Sequence, residues 1–174
     1  RVVLVTGSSS GIGEQIARRF SALGATVVVN SSSSVEAGQR VSDELPGESI
    51  YVQADISDPA QCQSLIDAVI ATYGRLDVLV NNAGWTARID HRDLDAVTDE
   101  IFRKTFEVNV FGTWNLTKAA MPHLKQSDDG NVVTISSVAG VRPVGSSIPY
   151  AMSKAALNHM TLLLAKSHGP VRVN

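Results

Sequence analysis

Short apolar runs alternate with helical stretches along the whole chain, and this alternation constrains the fold more than any other feature. Runs rich in Val, Ile and Leu lie at residues 2–6, 26–30, 49–53, 77–81 and 131–136, and helical patterns lie near residues 12–23, 35–45, 59–73 and 99–124. Strands that alternate with helices form βαβ units, in which the strands are parallel. We therefore predict an α/β fold of the Rossmann type, a doubly wound parallel sheet with helices on both faces.

A glycine-rich turn follows the first predicted strand. Residues 6–13 read Thr-Gly-Ser-Ser-Ser-Gly-Ile-Gly and open the first predicted helix. Gly7 allows a tight turn, Gly11 lets the backbone approach a pyrophosphate, and Gly13 lets the helix pack closely on the strand. The start of the helix faces the phosphates with unpaired N–H groups and a partial positive charge. Such a strand, loop and helix are typical of a dinucleotide-binding site.

A second chemical signal lies late in the chain. Tyr150 and Lys154 are four residues apart at the start of an apolar helix, and Ser137 lies at the end of the fifth predicted strand. Residues i and i+4 share one helix face, so the Lys154 ammonium would favour the phenolate form of Tyr150. Tyr150 would then exchange a proton with a substrate oxygen that Ser137 holds. Together with the dinucleotide site, this pattern indicates an enzyme that moves a hydride between a nicotinamide cofactor and a carbonyl or alcohol.

These motifs together resemble those of the short-chain dehydrogenases/reductases, in the subgroup with Thr-Gly-x-x-x-Gly-x-Gly and Tyr-x-x-x-Lys. The matching positions run along essentially the whole chain and are residues 6–13, Asp55, residues 81–84, Asn109, Ser137, Tyr150 and Lys154. The resemblance implies that Tyr150 is the general acid/base and that Ser137 orients the reacting oxygen. It also implies that Lys154 binds the hydroxyl groups of the nicotinamide ribose, and that Asn109 holds a water molecule in a proton relay.

The resemblance further implies which residues bind the cofactor. Asp55 would accept a hydrogen bond from the adenine amino group, with the backbone of Ile56 beside it. The expected cofactor-binding residues are Gly7, Ser9, Ser10, Gly11, Ile12, Gly13, Ser31, Ser32, Asp55, Ile56, Asn82, Ala83, Gly84, Tyr150 and Lys154. Ser136 is expected to point away from the site, since adjacent strand residues face opposite sides of a sheet.

The end of the second predicted strand bears on the choice of cofactor. An NAD-selective site usually places an Asp or Glu here, where the carboxylate binds the ribose 2′-OH and repels a 2′-phosphate. This chain has Ser31 instead, within a run of four serines at residues 31–34. Neither this run nor Ser10 supplies the Arg or Lys that many NADP-dependent relatives have. We expect NADP(H) to be preferred, and NAD(H) stays open.

Composition limits the other classes of function. With 15 basic and 17 acidic residues, the chain has no basic stripe for nucleic acid. Its single cysteine, Cys62, forms no intrachain disulfide, which suits the reducing cytoplasm. No apolar run approaches the roughly 18 residues of a membrane span, and the four histidines lack the spacing of metal ligands. We expect a cytoplasmic protein with no metal site and with no nucleic acid or membrane as partner.

The length of 174 residues suits one dinucleotide-binding and catalytic domain, residues 1–174. Residues 170–174 are typical of the start of a sixth strand, so the domain is expected to continue beyond Asn174, with its C-terminal part and much of the substrate pocket missing. Met152, Ala156, His159 and Leu163 share a face of the last helix that does not cover the sheet. They predict a homodimer or homotetramer, in which the resemblance pairs this helix with the one near residues 99–124.

The predicted function is hydride transfer between NADP(H) and a small carbonyl or alcohol substrate, as a ketone or 3-oxoacyl reductase. One alternative is an NAD-dependent alcohol or hydroxysteroid-like dehydrogenase that works toward oxidation. Another is a nicotinamide-binding regulator without catalysis. The presence of Asn109 with Ser137, Tyr150 and Lys154 argues against the regulator, because a protein that only binds the cofactor has no need of all four.

Overall fold

The computed structural model describes residues 1–174 and shows a six-stranded sheet covered by helices. The strands are β1 (Val2–Val5), β2 (Thr26–Ser31), β3 (Ser49–Gln53), β4 (Val78–Asn81), β5 (Asn131–Thr134) and β6 (Arg172–Val173). The helices are α1 (Gly11–Ala22), α2 (Val35–Glu44), α3 (Pro59–Tyr73), α4 (Asp99–Phe106), α5 (Thr113–Leu124) and α6 (Ile148–Ser167). A π-helical segment (Glu107–Gly112) joins α4 to α5, and a 3₁₀ turn (Val138–Gly140) follows β5. The predicted alternation of strands and helices is confirmed.

All strands are parallel, in the order β3-β2-β1-β4-β5-β6. The order reverses at β1, because β1 is followed in the chain by β2 on one side and pairs with β4 on the other. Loops that leave the carboxyl ends of β1 and β4 therefore diverge and open a crevice. In doubly wound sheets, ligands bind in such a crevice. The fold thus places the predicted cofactor and catalytic motifs at one edge of the sheet.

Two apolar layers cover the two faces of the sheet. Successive strand residues alternate between faces, so Leu4 packs with α3, α5 and α6 whereas Val3 and Val5 pack with α1 and α2. These three side chains are fully buried. The layers confirm the predicted doubly wound fold with helices on both faces. None of the helices combines the length and the apolar character that are needed to cross a lipid bilayer.

Helix α3 starts and ends at residues whose types favour helix boundaries. Asp58 is the N-cap, and its side chain accepts a hydrogen bond from the backbone N–H of Ala60 at 2.8 Å. Pro59 occupies the first helical position, where the missing N–H costs nothing. The helix ends at Gly74, which has a φ of 69°. Residue types that favour helix boundaries therefore set both ends of α3.

The predicted helix near residues 99–124 is interrupted in the structure. α4 and α5 lie at its two ends, but Glu107–Gly112 is π-helical. At Gly112, an added Cβ would lie 2.8 Å from the backbone oxygen of Ile56, so this segment packs very closely on the loop after β3. The prediction of one regular helix near residues 99–124 was therefore wrong for these six residues. Single π-helical turns inside helices often occur at functional sites.

Candidate active site

Thr6 connects the end of β1 to the end of β4. Its Oγ1 atom accepts hydrogen bonds from the backbone N–H groups of Asn82 and Ala83, both at 3.0 Å. The same hydroxyl donates to the backbone oxygen of Val80 at 3.4 Å. Thr6 is fully buried, so no water competes for these contacts. This residue fixes the glycine-rich loop against the strand on the other side of the crevice.

Two glycines of the loop make close approaches that a larger residue would block. Gly7 has a φ of 61°, and a Cβ at Gly13 would lie 2.4 Å from the backbone oxygen of Gly7. That Cβ would also lie 2.4 Å from Nδ2 of Asn82, which donates to the backbone oxygens of Thr6 and Gly7. Gly13 thus lets α1 pack tightly beneath the loop. The tight-turn and packing roles predicted for Gly7 and Gly13 agree with these contacts.

The first backbone N–H groups of α1 donate no hydrogen bond to the side chain of the N-cap residue. Ser10 is the N-cap, in an extended conformation, and its side chain makes no capping hydrogen bond. The first-turn N–H groups of a helix have no partner within the helix and attract anions. Together with the close approaches of Gly7 and Gly13, this arrangement fits the pyrophosphate of a dinucleotide.

A cleft of about 500 Å³ lies at the carboxyl ends of the first four strands. Ten of the predicted cofactor residues line it: Gly7, Ser9, Ser10, Ser31, Ser32, Asp55, Ile56, Asn82, Ala83 and Gly84. Gly11 and Ile12 line a separate apolar groove along α1, and Gly13 lies below the loop. Tyr150 and Lys154 also lie outside the walls of this cleft. The structure therefore brings the two predicted motifs to one edge without placing every member in one cavity.

Seven further residues line the cleft: Asn30, Ser33, Ser34, Ala54, Trp85, Lys104 and Val108. Ser33 and Ser34 belong to the serine run that bears on the choice of cofactor, and the sequence did not single out the other five as cofactor-binding. Among them, Asn30 braces the glycine-rich loop. Its side chain donates to the backbone oxygens of Val52 and Ala54, both at 3.1 Å, and accepts from Gly7 N–H at 3.4 Å. The signal in the sequence was a polar residue at the end of an otherwise apolar strand.

Lys104 is the one cation in the lining of the cleft, and Asp55 is the one anion. The Nζ atom of Lys104 lies 4.6 Å from the centre of the Trp85 ring, a distance typical of a cation–π contact. Asp55 Oδ1 accepts hydrogen bonds from the N–H and the hydroxyl of Ser57. Lys104 and Val108 are four residues apart, so they share one side of this helical stretch. The sequence carries no local signal that this side faces the cleft.

Asn109 lies in the π-helical segment and holds the loop after β4. Its Oδ1 atom accepts from Trp85 N–H at 2.7 Å, and its Nδ2 atom donates to Trp85 O and to Ser153 Oγ, both at 3.0 Å. Ser153 in turn donates to the backbone oxygen of Tyr150 at 2.7 Å. Both N–H bonds of the Asn109 amide are therefore engaged within the protein. Any water that this side chain binds must donate to its Oδ1 atom.

Tyr150 and Lys154 lie on the first turns of α6. The side chain of Ser147 caps this helix by accepting from Tyr150 N–H at 3.4 Å. Lys154 Nζ lies 5.7 Å from the centre of the Tyr150 ring. Burial lowers the pKa of Lys154, which is only 5% exposed, because the charged form loses solvation. The ammonium and the phenol thus share one side of α6, as the spacing predicts.

Ser137 lies three residues after the end of β5 and is the N-cap of the 3₁₀ turn. Its Oγ atom accepts a hydrogen bond from Ala139 N–H at 3.2 Å. The neighbouring Ser136 instead donates to Asn158 Oδ1 at 2.6 Å and so points into α6. A Cβ on Gly84 would lie 3.4 Å from Asn109 Oδ1 and 3.9 Å from Lys154 Nζ, so the end of β4, the π-helical segment and α6 meet here.

A glycine-rich turn at the switch point of a parallel sheet, with a tyrosine and a buried lysine on a nearby helix, defines the class of nicotinamide-dependent oxidoreductases. Comparison with known proteins gives the family. The family described as short chain dehydrogenase matches residues 1–174. This chain belongs to the short-chain dehydrogenase/reductase family.

Several relatives show how far the similarity extends. The “Granaticin polyketide synthase putative ketoacyl reductase 2” of Streptomyces violaceoruber is 55% identical, over 99% of this chain and 70% of the relative. L-fucose dehydrogenase of Bos taurus is 38% identical over 100% of this chain, which spans 63% of that protein. The crystal structure of a “putative short-chain dehydrogenase/reductase” from Burkholderia xenovorans is 37% identical, with a TM-score of 0.95 over 99% of this chain and 74% of that chain.

Proposed function

We propose that this protein is an NADP(H)-dependent reductase that acts on a ketone or a 3-oxoacyl substrate. The observation that carries the proposal is the position of Tyr150 and Lys154 on α6, with the amine 5.7 Å from the phenol ring. Ser137 lies at the start of the 3₁₀ turn that follows β5, and this segment is hydrogen-bonded to α6. The 55% identity to a relative named as a ketoacyl reductase supports a carbonyl substrate.

Each residue of the site has a separate role in the proposed carbonyl reduction. When bound, the nicotinamide cofactor supplies the hydride to the carbonyl carbon. Tyr150 gives its phenolic proton to the carbonyl oxygen, and the Ser137 hydroxyl donates a hydrogen bond to the same oxygen. The Lys154 ammonium stabilises the phenolate that remains on Tyr150. Asn109 keeps the loop at Trp85 in place through its two hydrogen bonds to that backbone.

The charge of the cleft supports NADP(H). No acidic side chain occupies residues 30–34, the part of the lining where a carboxylate would repel a 2′-phosphate. Four serines, residues 31–34, line this end of the cleft and supply hydroxyl groups. Ser31 is partly engaged already, because its hydroxyl hydrogen-bonds the Tyr51 hydroxyl at 2.9 Å. The remaining serines supply donors for a phosphate.

A second candidate is a dehydrogenase that oxidises a sugar, since a relative named L-fucose dehydrogenase is 38% identical. The segment between Ser137 and Tyr150 favours an apolar substrate over a sugar. Val138, Val141 and Val144 in this segment are 58%, 74% and 44% exposed. Apolar side chains in contact with solvent gain free energy when an acyl chain covers them, whereas a sugar needs hydrogen-bonding groups.

We also propose that the protein forms a dimer or tetramer through α5 and α6. Five large apolar side chains are exposed on these helices and on the π-helical segment that precedes α5: Phe111, Trp114, Met152, Leu162 and Leu163. A groove of about 430 Å³ lies between the two helices, with Trp114, Met121 and Leu164 in its walls and Lys118, Lys125 and His168 among its polar lining. A two-fold axis would bring the same surface of a second copy against it and remove these side chains from water.

An activity assay on the wild-type protein tests the proposed function. NADPH consumption is followed by absorbance with 3-oxoacyl thioesters and with simple ketones, and NADH formation is followed with L-fucose and NAD⁺. We expect turnover with NADPH and a carbonyl substrate that exceeds turnover with the sugar. Faster oxidation of L-fucose with NAD⁺ would favour the second candidate. A protein that binds NADPH but reduces no carbonyl compound of the panel would contradict the proposal.

A further inference from the structure

Asn158 continues the line of Tyr150 and Lys154 along α6. The three residues stand at positions i, i+4 and i+8, so they share one face of the helix. Asn158 Oδ1 accepts a hydrogen bond from the Ser136 hydroxyl at 2.6 Å. Its Nδ2 atom donates to the backbone oxygen of Gly140 at 3.4 Å. One side chain of α6 thus contacts the chain on both sides of Ser137.

The segment that carries Ser137 is attached to α6 at three points. Lys154 Nζ donates to Ile135 O at 2.7 Å, and Asn158 bonds to Ser136 and Gly140. The Ser136 hydroxyl also lies 3.4 Å from Lys154 O, a longer contact than its 2.6 Å bond to Asn158. The approach is close, because a Cβ on Gly140 would lie 2.8 Å from both Asn158 Nδ2 and the backbone carbon of Lys154. Apart from these contacts, the Ser137 hydroxyl itself accepts one local hydrogen bond, from Ala139 N–H at 3.2 Å. The position of Ser137 relative to α6 therefore depends on its neighbours.

We propose that Asn158 is a positioning residue, which sets the distance between the Ser137 hydroxyl and the Tyr150 phenol. The inference rests on the proposed function, because the distance matters only if both groups act on one substrate oxygen. The amide of Asn158 provides an acceptor for Ser136 and a donor for Gly140, two roles that no carboxylate or alkyl group combines. Asn158 moves no proton. Its effect on the reaction passes through Ser137, since a misplacement of about 1 Å can cost on the order of 10²-fold in rate.

The test compares Asn158→Leu and Ser136→Ala with the wild-type protein. Asn158→Leu keeps the size of the side chain and removes both hydrogen bonds, and Ser136→Ala removes one hydroxyl. We expect each to lower kcat by at least about 10-fold. The dissociation constant for NADPH and the KM for the carbonyl substrate should stay within about twofold, because the Asn158 side chain bonds only to Ser136 and Gly140, and none of the three residues lines the cleft or is expected to contact the cofactor. Lys166→Leu, an exposed change in the last turn of α6, is the matched control and should leave kcat unchanged.

A double-mutant cycle separates positioning from a purely structural role. If Asn158 acts through Ser137, Asn158→Leu should lower kcat by less than about twofold in a Ser137→Ala background. If the double variant lost kcat by the product of the two single losses, the two residues would act independently and the inference would be overturned. A wild-type kcat in both Asn158→Leu and Ser136→Ala would also overturn it. If Asn158→Leu fails to fold, Ser136→Ala replaces it: its effect on kcat is measured in the wild type and in the Ser137→Ala background and is interpreted in the same way. Wild-type turnover and its loss in Tyr150→Phe test the proposed function separately, so an active wild type with an unaffected Asn158→Leu contradicts the inference alone.

Discussion

The Nζ atom of Lys154 donates a hydrogen bond to the backbone oxygen of Ile135 at 2.7 Å. This bond joins α6 to the end of β5, two residues before Ser137. It also holds the amine on the side of α6 that carries Tyr150. An ammonium has three N–H donors, so two remain for other partners after Ile135 is served. The predicted contact with the nicotinamide ribose is compatible with this geometry.

Tyr150→Phe tests the proton donor. The change removes only the hydroxyl group, so kcat for carbonyl reduction should fall by about 10² to 10⁴-fold, the range typical of general acid/base groups. The dissociation constant for NADPH, measured by fluorescence titration, should stay close to the wild-type value. Near wild-type turnover in this variant would show that another group gives the proton.

Ser31→Asp tests the basis of cofactor preference. The new carboxylate would stand at the end of β2 in the lining of the cleft, where it repels a 2′-phosphate. Side-by-side dissociation constants should favour NADPH in the wild type and shift toward NADH in the variant. Ser64→Asp adds the same charge on the exposed side of α3 and should leave the ratio unchanged. Tighter binding of NADH than NADPH by the wild type would refute the preference.

Asp77 predicts a loss of stability in acid. Burial by itself raises the pKa of the Asp77 carboxyl. Hydrogen bonds from Arg75, Ser127 and the Val2 N–H lower it by more than burial raises it, so the pKa falls from 3.8 to about 2. A carboxyl whose pKa is depressed in the folded state stabilises the protein above its ordinary pKa, and this stability disappears as the pH falls from 3.8 toward 2. The contribution at neutral pH is about 2 kcal/mol.

Urea denaturation at several pH values, with Asp77→Asn for comparison, measures this contribution. The variant should be less stable than the wild type at pH 7, and the difference in free energy of unfolding should shrink as the pH falls below about 4. A difference that stays constant down to pH 2 would assign the effect to packing instead of charge.

The proposed oligomer depends on the exposed apolar face of α5 and α6. Leu163 is 55% exposed on α6, and Leu163→Glu would place a charge in the proposed interface. Light scattering at micromolar concentration should show a dimer or tetramer for the wild type and a shift toward monomer for the variant. Leu23→Glu, at a leucine that is 65% exposed after α1, is the matched control. A monomeric wild type would refute the oligomer.

The sequence by itself determined the fold class and the boundaries that depend on local chemistry. Alternating apolar runs and helical patterns were enough for the doubly wound sheet, because burial of each strand depends on its own composition. The Asp58 cap and Pro59 fixed the start of α3, since capping acts within one turn. The spacing of Tyr150 and Lys154 likewise gave their common helix face.

Only the tertiary structure decided the features that join distant parts of the chain. The π-helical segment at Asn109 accompanies contacts with Trp85 and Ser153, which are 24 and 44 residues away. Lys104 lines the cleft because α4 packs beside the loop after β4, and no local pattern shows that neighbour. The link from Asn158 to Ser136 spans 22 residues. Such contacts form only when separate helices and strands pack together. A local sequence pattern reflects only the interactions within one turn or one strand, so it cannot predict them.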